Sequence, residues 1–183
     1  AIETTAVLDG DEWVLNGEKI FVSNGIRGDG MVAWDTLDPS IGRGAIKAFL
    51  VLDDTPGLIL SGKEKKMGNR CGDTAAYVFK DCRIPRENLL GGDETVKIKG
   101  SGGFKGLMKT FNLARPLVAC RGLGHVTACL EFVTDALGKE GEEVNWEAGQ
   151  HRRSAVQQKL IGLEAELEAA KLTAVHAGWL ADG

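Results

Sequence analysis

Over about the first ninety residues, short runs rich in β-branched and aromatic side chains alternate with turn-forming residues. Trp13-Val14-Leu15, Lys19 to Ser23, Met31 to Trp34, Ile46 to Leu52 and Tyr77-Val78-Phe79 read as strands. Asp9-Gly10-Asp11, Asn16-Gly17, Asn24-Gly25, Asp38-Pro39 and Pro56-Gly57 read as the turns between them. Strands spaced by roughly ten residues, with no helical period in between, predict an antiparallel sandwich or barrel-like domain. No GxGxxG joins a strand to a helix, so nothing supports a Rossmann domain.

Residues 91 to 103 are polar and Gly-rich and mark a junction, which we place between a domain over 1–100 and one over 101–183. Beyond it the period changes to that of a helix. Phe104, Leu107, Met108 and Phe111 make one stripe, continued by Val126, Leu130, Val133 and Leu137. Pro116 falls inside this pattern, where it removes a backbone donor and kinks a helix unless packing absorbs it. Gly138 to Gly149 reads as a polar loop. A second helix then carries Val156, Leu160, Leu163, Leu167, Ala170 and Ala174 on one face, so the pair is expected to pack antiparallel. The predicted class is α+β.

Composition adds only boundaries. The 183 residues are 43% hydrophobic and 26% charged, with a net charge of −4, which argues against a nucleic-acid surface. Lys63, Lys65 and Lys66 form the densest basic run, the pattern of a solvated loop. Cys71, Cys82, Cys120 and Cys129 match no zinc or redox spacing, so free thiols in a reducing compartment, and a cytoplasmic protein, are expected. No apolar stretch of membrane-spanning length and no leader is read. The chain opens on Ala1-Ile2-Glu3 and stops straight after a helical pattern, which reads as a piece of a longer protein. Glu164, Glu166 and Glu168 point apart around a helix and read as solvated surface rather than a metal site.

Along the strand Gly17 to Gly25, alternation places Phe21 and Ser23 on one face and Ile20 and Val22 on the other. A ring and a hydroxyl side by side suit a planar cofactor. The same pair also suits ordinary core packing and a local backbone cap, and the local pattern leaves both open. The wider wording resembles the acyl-CoA dehydrogenase family. Gly17-Glu18-Lys19-Ile20-Phe21-Val22-Ser23-Asn24-Gly25, Asp54-Thr55-Pro56-Gly57, Met67-Gly68-Asn69-Arg70-Cys71-Gly72-Asp73-Thr74, Phe79-Lys80-Asp81-Cys82-Arg83-Ile84-Pro85 and Asn88-Leu89-Leu90-Gly91 stand in the family's order and spacing. Gly103 to Met108 and Arg115 to Ala119 look most like the medium-chain branch.

The resemblance implies the middle β-domain followed by part of a C-terminal four-helix domain, with FAD as cofactor. It implies α,β-dehydrogenation of an acyl-CoA thioester: a carboxylate takes the α-proton, the β-hydrogen leaves as hydride to flavin N5, and donors to the thioester carbonyl stabilise the enolate. Phe21 stands where the family has the Trp against the isoalloxazine, Val22 where it has Ile, and Ser23 where it has a Thr whose hydroxyl meets the flavin. Asn112 replaces a family Asp and Arg115 matches a family Arg, both near substrate. Arg115 suits the CoA portion as a donor fork, or an ordinary surface ion pair. Phe104 and Phe111 suit the acyl tunnel or the core. Arg70 and Asp73 are read as a structural pair fixing their loop.

The resemblance also fails in two places. The family's base lies beyond this chain or just before the Arg matched by Arg115, where Ala114 stands, so no residue is assigned the proton abstraction. Where the family has an Arg for the phosphate of the neighbouring subunit's FAD, Glu140 stands, followed by Gly141-Glu142-Glu143; Arg152 and Arg153 are the cations left nearby. The expected partners are an acyl-CoA substrate, an electron-transferring flavoprotein as acceptor, and further subunits in a homodimer, homotetramer or mixed oligomer. A non-catalytic structural homologue is the reading from another class.

Overall fold

A computed structural model of the chain describes residues 2–96 and 102–182. They divide into two compact units, Ala1–Leu107 and Met108–Gly183; the boundary expected between 100 and 101 lies outside the described residues.

The first unit is a six-stranded sheet of β1 (Thr5–Asp9), β2 (Glu12–Ser23), β3 (Gly30–Thr36), β4 (Ile46–Leu52), β5 (Leu58–Lys63) and β6 (Thr74–Pro85), in the order β4-β3-β1-β2-β6-β5. Its pairings are antiparallel, as expected, except that β1 and β3 meet in parallel through Thr5 and Thr36. Gly10-Asp11 closes the β1–β2 hairpin, with Gly10 at φ +65°.

The sheet curls on itself. Trp13 of β2 and Phe49 of β4 are three places apart in the strand order, which in a flat sheet is roughly 14 Å. Their ring centroids are nevertheless 5.2 Å apart, edge to face at 62°. The segment after β6 seals the curl: Leu89 bridges Phe49, and the Leu90 amide donates to the Ala48 carbonyl at 2.9 Å. Ala6, Leu15, Ala33, Val51, Phe79 and Ile84 fill the inside. This is the barrel-like α+β architecture expected.

Asn16-Gly17 is not a turn. Both residues lie within β2, where Leu15 pairs with Cys82 and Gly17 with Phe79, leaving Lys80 and Asp81 opposite Asn16 alone. The Asn16 side chain accepts from the Asp81 amide at 2.9 Å and donates to its carboxylate at 3.2 Å, holding Asp81 at φ +47°. A Cβ on Gly17, at φ +129°, would stand 2.6 Å from Thr4 Cγ2. The dipeptide therefore serves a β-bulge and a close strand approach, needs that a turn signal shares. β1 and β5 are strands that the apolar pattern did not reveal.

The helix α1 (Gly102–Lys139), which lies in the second unit from Met108 onward, carries Pro116 inside it, as expected, and α2 (Ala155–Asp182) follows the loop. The grooves between them pair Val133 and Leu123 with Leu163 and Leu167, then Asn112 and Ala119 with Ala174 and Leu180, so the helices run antiparallel. Of the stripe expected on α2, Leu160, Leu167 and Ala174, seven apart, are buried, whereas Val156, Leu163 and Ala170 stay exposed. By length and composition, α1 is apolar enough to cross a membrane. That corrects the expectation that no such stretch exists; length and composition alone are weak evidence for a span.

Cys82 is fully buried. Burial first, and the negative Asp35 second, push its thiol from 9.0 up to about 11. The unfolded chain therefore releases this proton first, and the stability present below 9.0 is lost as pH rises through about 11. Denaturant midpoints measured across that window should fall for the parent protein and fall less for Cys82→Val.

Candidate functional site

The end of β2 holds the ring and hydroxyl singled out in the sequence. Lys19 pairs with Tyr77 and Val22 with Ala75, so Ile20 and Phe21 together face Ala76. Tyr77 and Ala75, two apart, point to the same buried side. Lys19 and Val22 consequently share a face although three apart, which strict alternation forbids. Simple alternation is thus corrected: Ile20 leaves Val22's face and is exposed, 61%, beside Phe21 at 65%. Phe21 has φ +58°, an uncommon conformation for an aromatic residue. Val22 is half-buried, and Ser23 is exposed with no side-chain hydrogen bond to a described residue.

Both flanks of this bulge are anchored. On one side the Lys19 ammonium contacts Asp35 Oδ1 at 2.8 Å and donates to the Trp34 carbonyl at 2.6 Å and to Thr4 Oγ1. Asp35 has 0% exposure. On the other side Asn24 (φ +55°) and Gly25 turn the chain, with the Gly28 amide donating to the Asn24 carbonyl at 2.8 Å. The turn ends the strand as expected. The Tyr77 hydroxyl donates to the Gly25 carbonyl, and a Cβ on Gly25 would lie 2.7 Å from that of Ala75. Burial, with the negative charges of Asp53 and Asp73 behind it, holds the Tyr77 hydroxyl above its ordinary range, so it stays a donor.

The loop from Lys63 to Gly72 packs beside this strand end, the Glu64 amide donating to the Thr74 carbonyl at 2.8 Å. The expected Arg70–Asp73 pair is not formed. Arg70 Nε donates to the Lys66 carbonyl at 2.8 Å, and Lys66 Nζ to the Gly72 carbonyl at 2.6 Å, so backbone acceptors brace the loop. Asp73 is 4% exposed, and neither carboxylate oxygen has a hydrogen-bond partner.

Phe104 belongs to the first unit, with the Arg43 guanidinium 4.5 Å above its ring. Phe111, Asn112 and Arg115 belong to the second. Asn112 and Arg115 line an apolar groove of about 930 Å³ together with Pro116 and small residues of α2, and Arg115 NH1 donates to Asn112 Oδ1 at 3.0 Å. Phe111 is half-exposed and does not line that groove. After α1, Arg153 is committed to the loop, donating to the carbonyls of Asn145 at 3.1 Å and Trp146 at 2.8 Å, while Ser154 donates to Glu142 at 2.7 Å.

Residues 1–82 match the middle domain of acyl-CoA dehydrogenases and residues 101–183 their C-terminal domain. The chain belongs to the acyl-CoA dehydrogenase family. It is 38% identical over 183 residues to the short-chain specific acyl-CoA dehydrogenase of mouse mitochondria, spanning all of this chain and 42% of that protein. Among solved structures it resembles butyryl-CoA dehydrogenase from Megasphaera elsdenii, with 32% identity and a TM-score of 0.79 over 97% of this chain and 44% of that one. It also resembles a Bacillus anthracis acyl-CoA dehydrogenase complexed with FAD, with 27% identity and a TM-score of 0.74 over 94% of this chain and 28% of that one. Relatives that match the whole chain thus include short-chain specific enzymes, a different branch from the one residues 103–119 resemble. α1 lies within the match to the C-terminal domain.

The sequence reading missed Thr4, Asp35 and Arg43. Each is distant in the chain from the group it supports, and no local pattern marks it.

Because the Phe21 side chain is exposed and its backbone strained, this residue contributes little to stability. Phe21→Asn, which tolerates a positive φ, should leave unfolding free energy within about 1 kcal/mol of the parent. Phe49→Ala, in the core, should cost about 3–5 kcal/mol. Urea melts of the two variants make the comparison.

Proposed function

We propose that this chain is the middle β-domain, over residues 1–100, and part of the C-terminal helical domain, over 101–183, of an FAD-dependent acyl-CoA dehydrogenase. The chain spans 42% of the mouse relative's length, so the reaction is that of the complete protein. The observation that carries the reading is the exposed Phe21 ring beside the unengaged Ser23 hydroxyl. A flat apolar surface and a hydroxyl two residues along fit one side of a planar, heteroatom-bearing ring.

When bound, FAD would supply the hydride acceptor. Phe21 would cover one face of the ring, Ser23 would donate to or accept from its edge, and Val22 would tie the two to the sheet through its inward side chain. Asn112 and Arg115 would meet the CoA portion of the substrate. Arg115 spends one N–H on Asn112 Oδ1 and keeps the rest of its fork, which suits phosphate or carbonyl oxygens. Phe104 and Phe111 would flank the acyl chain. The α-proton must be taken by a carboxylate outside this chain, since Ala114 stands at the alternative position. The fragment alone is therefore expected to be inactive.

The run Glu140 to Glu143 favours a refinement of this reading. A carboxylate is the wrong charge for a phosphate, and of the two nearby cations Arg153 is engaged by loop carbonyls, which leaves Arg152. This suits a mixed oligomer in which one subunit keeps the ring-binding half of the site and another supplies the phosphate-binding half. An electron-transferring flavoprotein is the proposed acceptor. The compartment is the cytoplasm in a bacterium and the mitochondrial matrix in a eukaryote.

The complete open reading frame, purified, should show a flavin absorption spectrum that bleaches when butyryl-CoA is added without oxygen. A colourless protein that stays free of flavin in excess FAD overturns the proposal. In the active protein Arg115→Ala should raise KM for acyl-CoA about tenfold with kcat nearly unchanged, the signature of a contact made equally in ground and transition states.

A further inference from the structure

The geometry points to the Lys19–Asp35 pair, with Thr4, as the device that holds Phe21 in its strained, outward conformation; Lys19 and Asp35 are positioning residues for the ring platform. The inference rests on the reading of Phe21 as that platform. β1 pairs with β2 only as far as Asn16, so from Gly17 onward β2 has a paired strand on its β6 side alone. On the open side the Lys19 side chain replaces the missing ladder. It reaches past the end of β1 to β3, where it meets Asp35 Oδ1 and the Trp34 carbonyl, and it meets Thr4 just before β1.

An ammonium has three N–H groups, and each has an acceptor here. Thr4 Oγ1 also donates to Asp35 Oδ1, which closes the cluster. Lys19 immediately precedes the two residues that bulge. A positive φ at an exposed aromatic residue persists only where its surroundings over-determine it, and the Phe21 ring, largely exposed, stands outside the buried core that could hold it. On its far side the Gly25–Tyr77 contact fixes the chain. With Lys19 fixed as well, the short span between the two anchors has one more residue than Ala76 can match, and the excess is expelled outward as Ile20 and Phe21.

The whole chain labelled with 4-fluorophenylalanine should give six fluorine resonances, one per phenylalanine, and Phe21→Leu assigns the relevant one. Replacing the pair by apolar groups, Lys19→Met with Asp35→Leu, is the exchange a buried ion pair best tolerates. It should leave the Phe49 and Phe79 signals in place and broaden or split that of Phe21 by about twofold or more, as the bulge loses its single conformation. Thr4→Val, which removes one acceptor and keeps the ion pair, should produce a smaller change at the same resonance, and it supplies the answer if the double variant loses the Phe49 signal. A sharp, unshifted Phe21 resonance in a variant with an intact core overturns the inference. Flavin is absent from this measurement, so a protein that never binds flavin would sink the functional reading and leave this result standing.

Discussion

A charge removed from water must find its partners, and Lys19 is where this requirement organises the first unit. Its ammonium and the fully buried Asp35 carboxylate each need the other, because either left alone inside the barrel would be far more costly than the pair is worth. They sit on strands two places apart in the sheet. Satisfying them fixes how far β2 may slide past β3 across the end of β1. With that relation set, Trp13 and Leu15 face inward, and Trp13 meets Phe49 across the curl.

Register then decides chemistry. The sheet shifts register opposite Asn16, again at Ile20–Phe21, and once more within β5. Each shift changes which face the following side chains occupy. A one-residue excess between Lys19 and Val22 keeps the apolar side of the strand inward up to the turn while releasing an aromatic ring to the outside. The exposed Phe21 ring is therefore a by-product of a sheet that must satisfy its core and its buried pair at once.

Where structure follows from neighbours in the chain, it was legible. Asn24-Gly25 ends its strand, Met31 to Trp34 and Ile46 to Leu52 are strands, and Pro116 sits within one long helix. Asn16-Gly17 was misread because a turn and a bulge ask for the same permissive backbone, and only the opposing strand tells them apart. That Phe21 and Ser23 share a face was legible; that Ile20 joins them on the outside was not, because alternation assumes equal residue counts on both strands. Lys19 could not be paired with Asp35, nor Arg43 with Phe104, from spacing alone. Arg70 and Asp73 are close in sequence and looked like a pair, yet the backbone carbonyl of Lys66 was the better-placed acceptor. The helical stripes show a similar limit: periodicity tells which face is apolar, as at Val126 and Leu163, but not what covers it.

Pro116 has a consequence for the backbone of α1. A helix closes each turn by donating from residue i to the carbonyl of i−4, and proline has no N–H to give. The residue whose carbonyl goes without is Asn112, which lines the groove beside Arg115. One ring closure thus takes away the i−4 donor of the Asn112 carbonyl, in a groove that also holds Arg115 and Thr173 among alanines and leucines. A proline ring therefore decides which backbone carbonyl of this stretch of α1 lacks its helical donor.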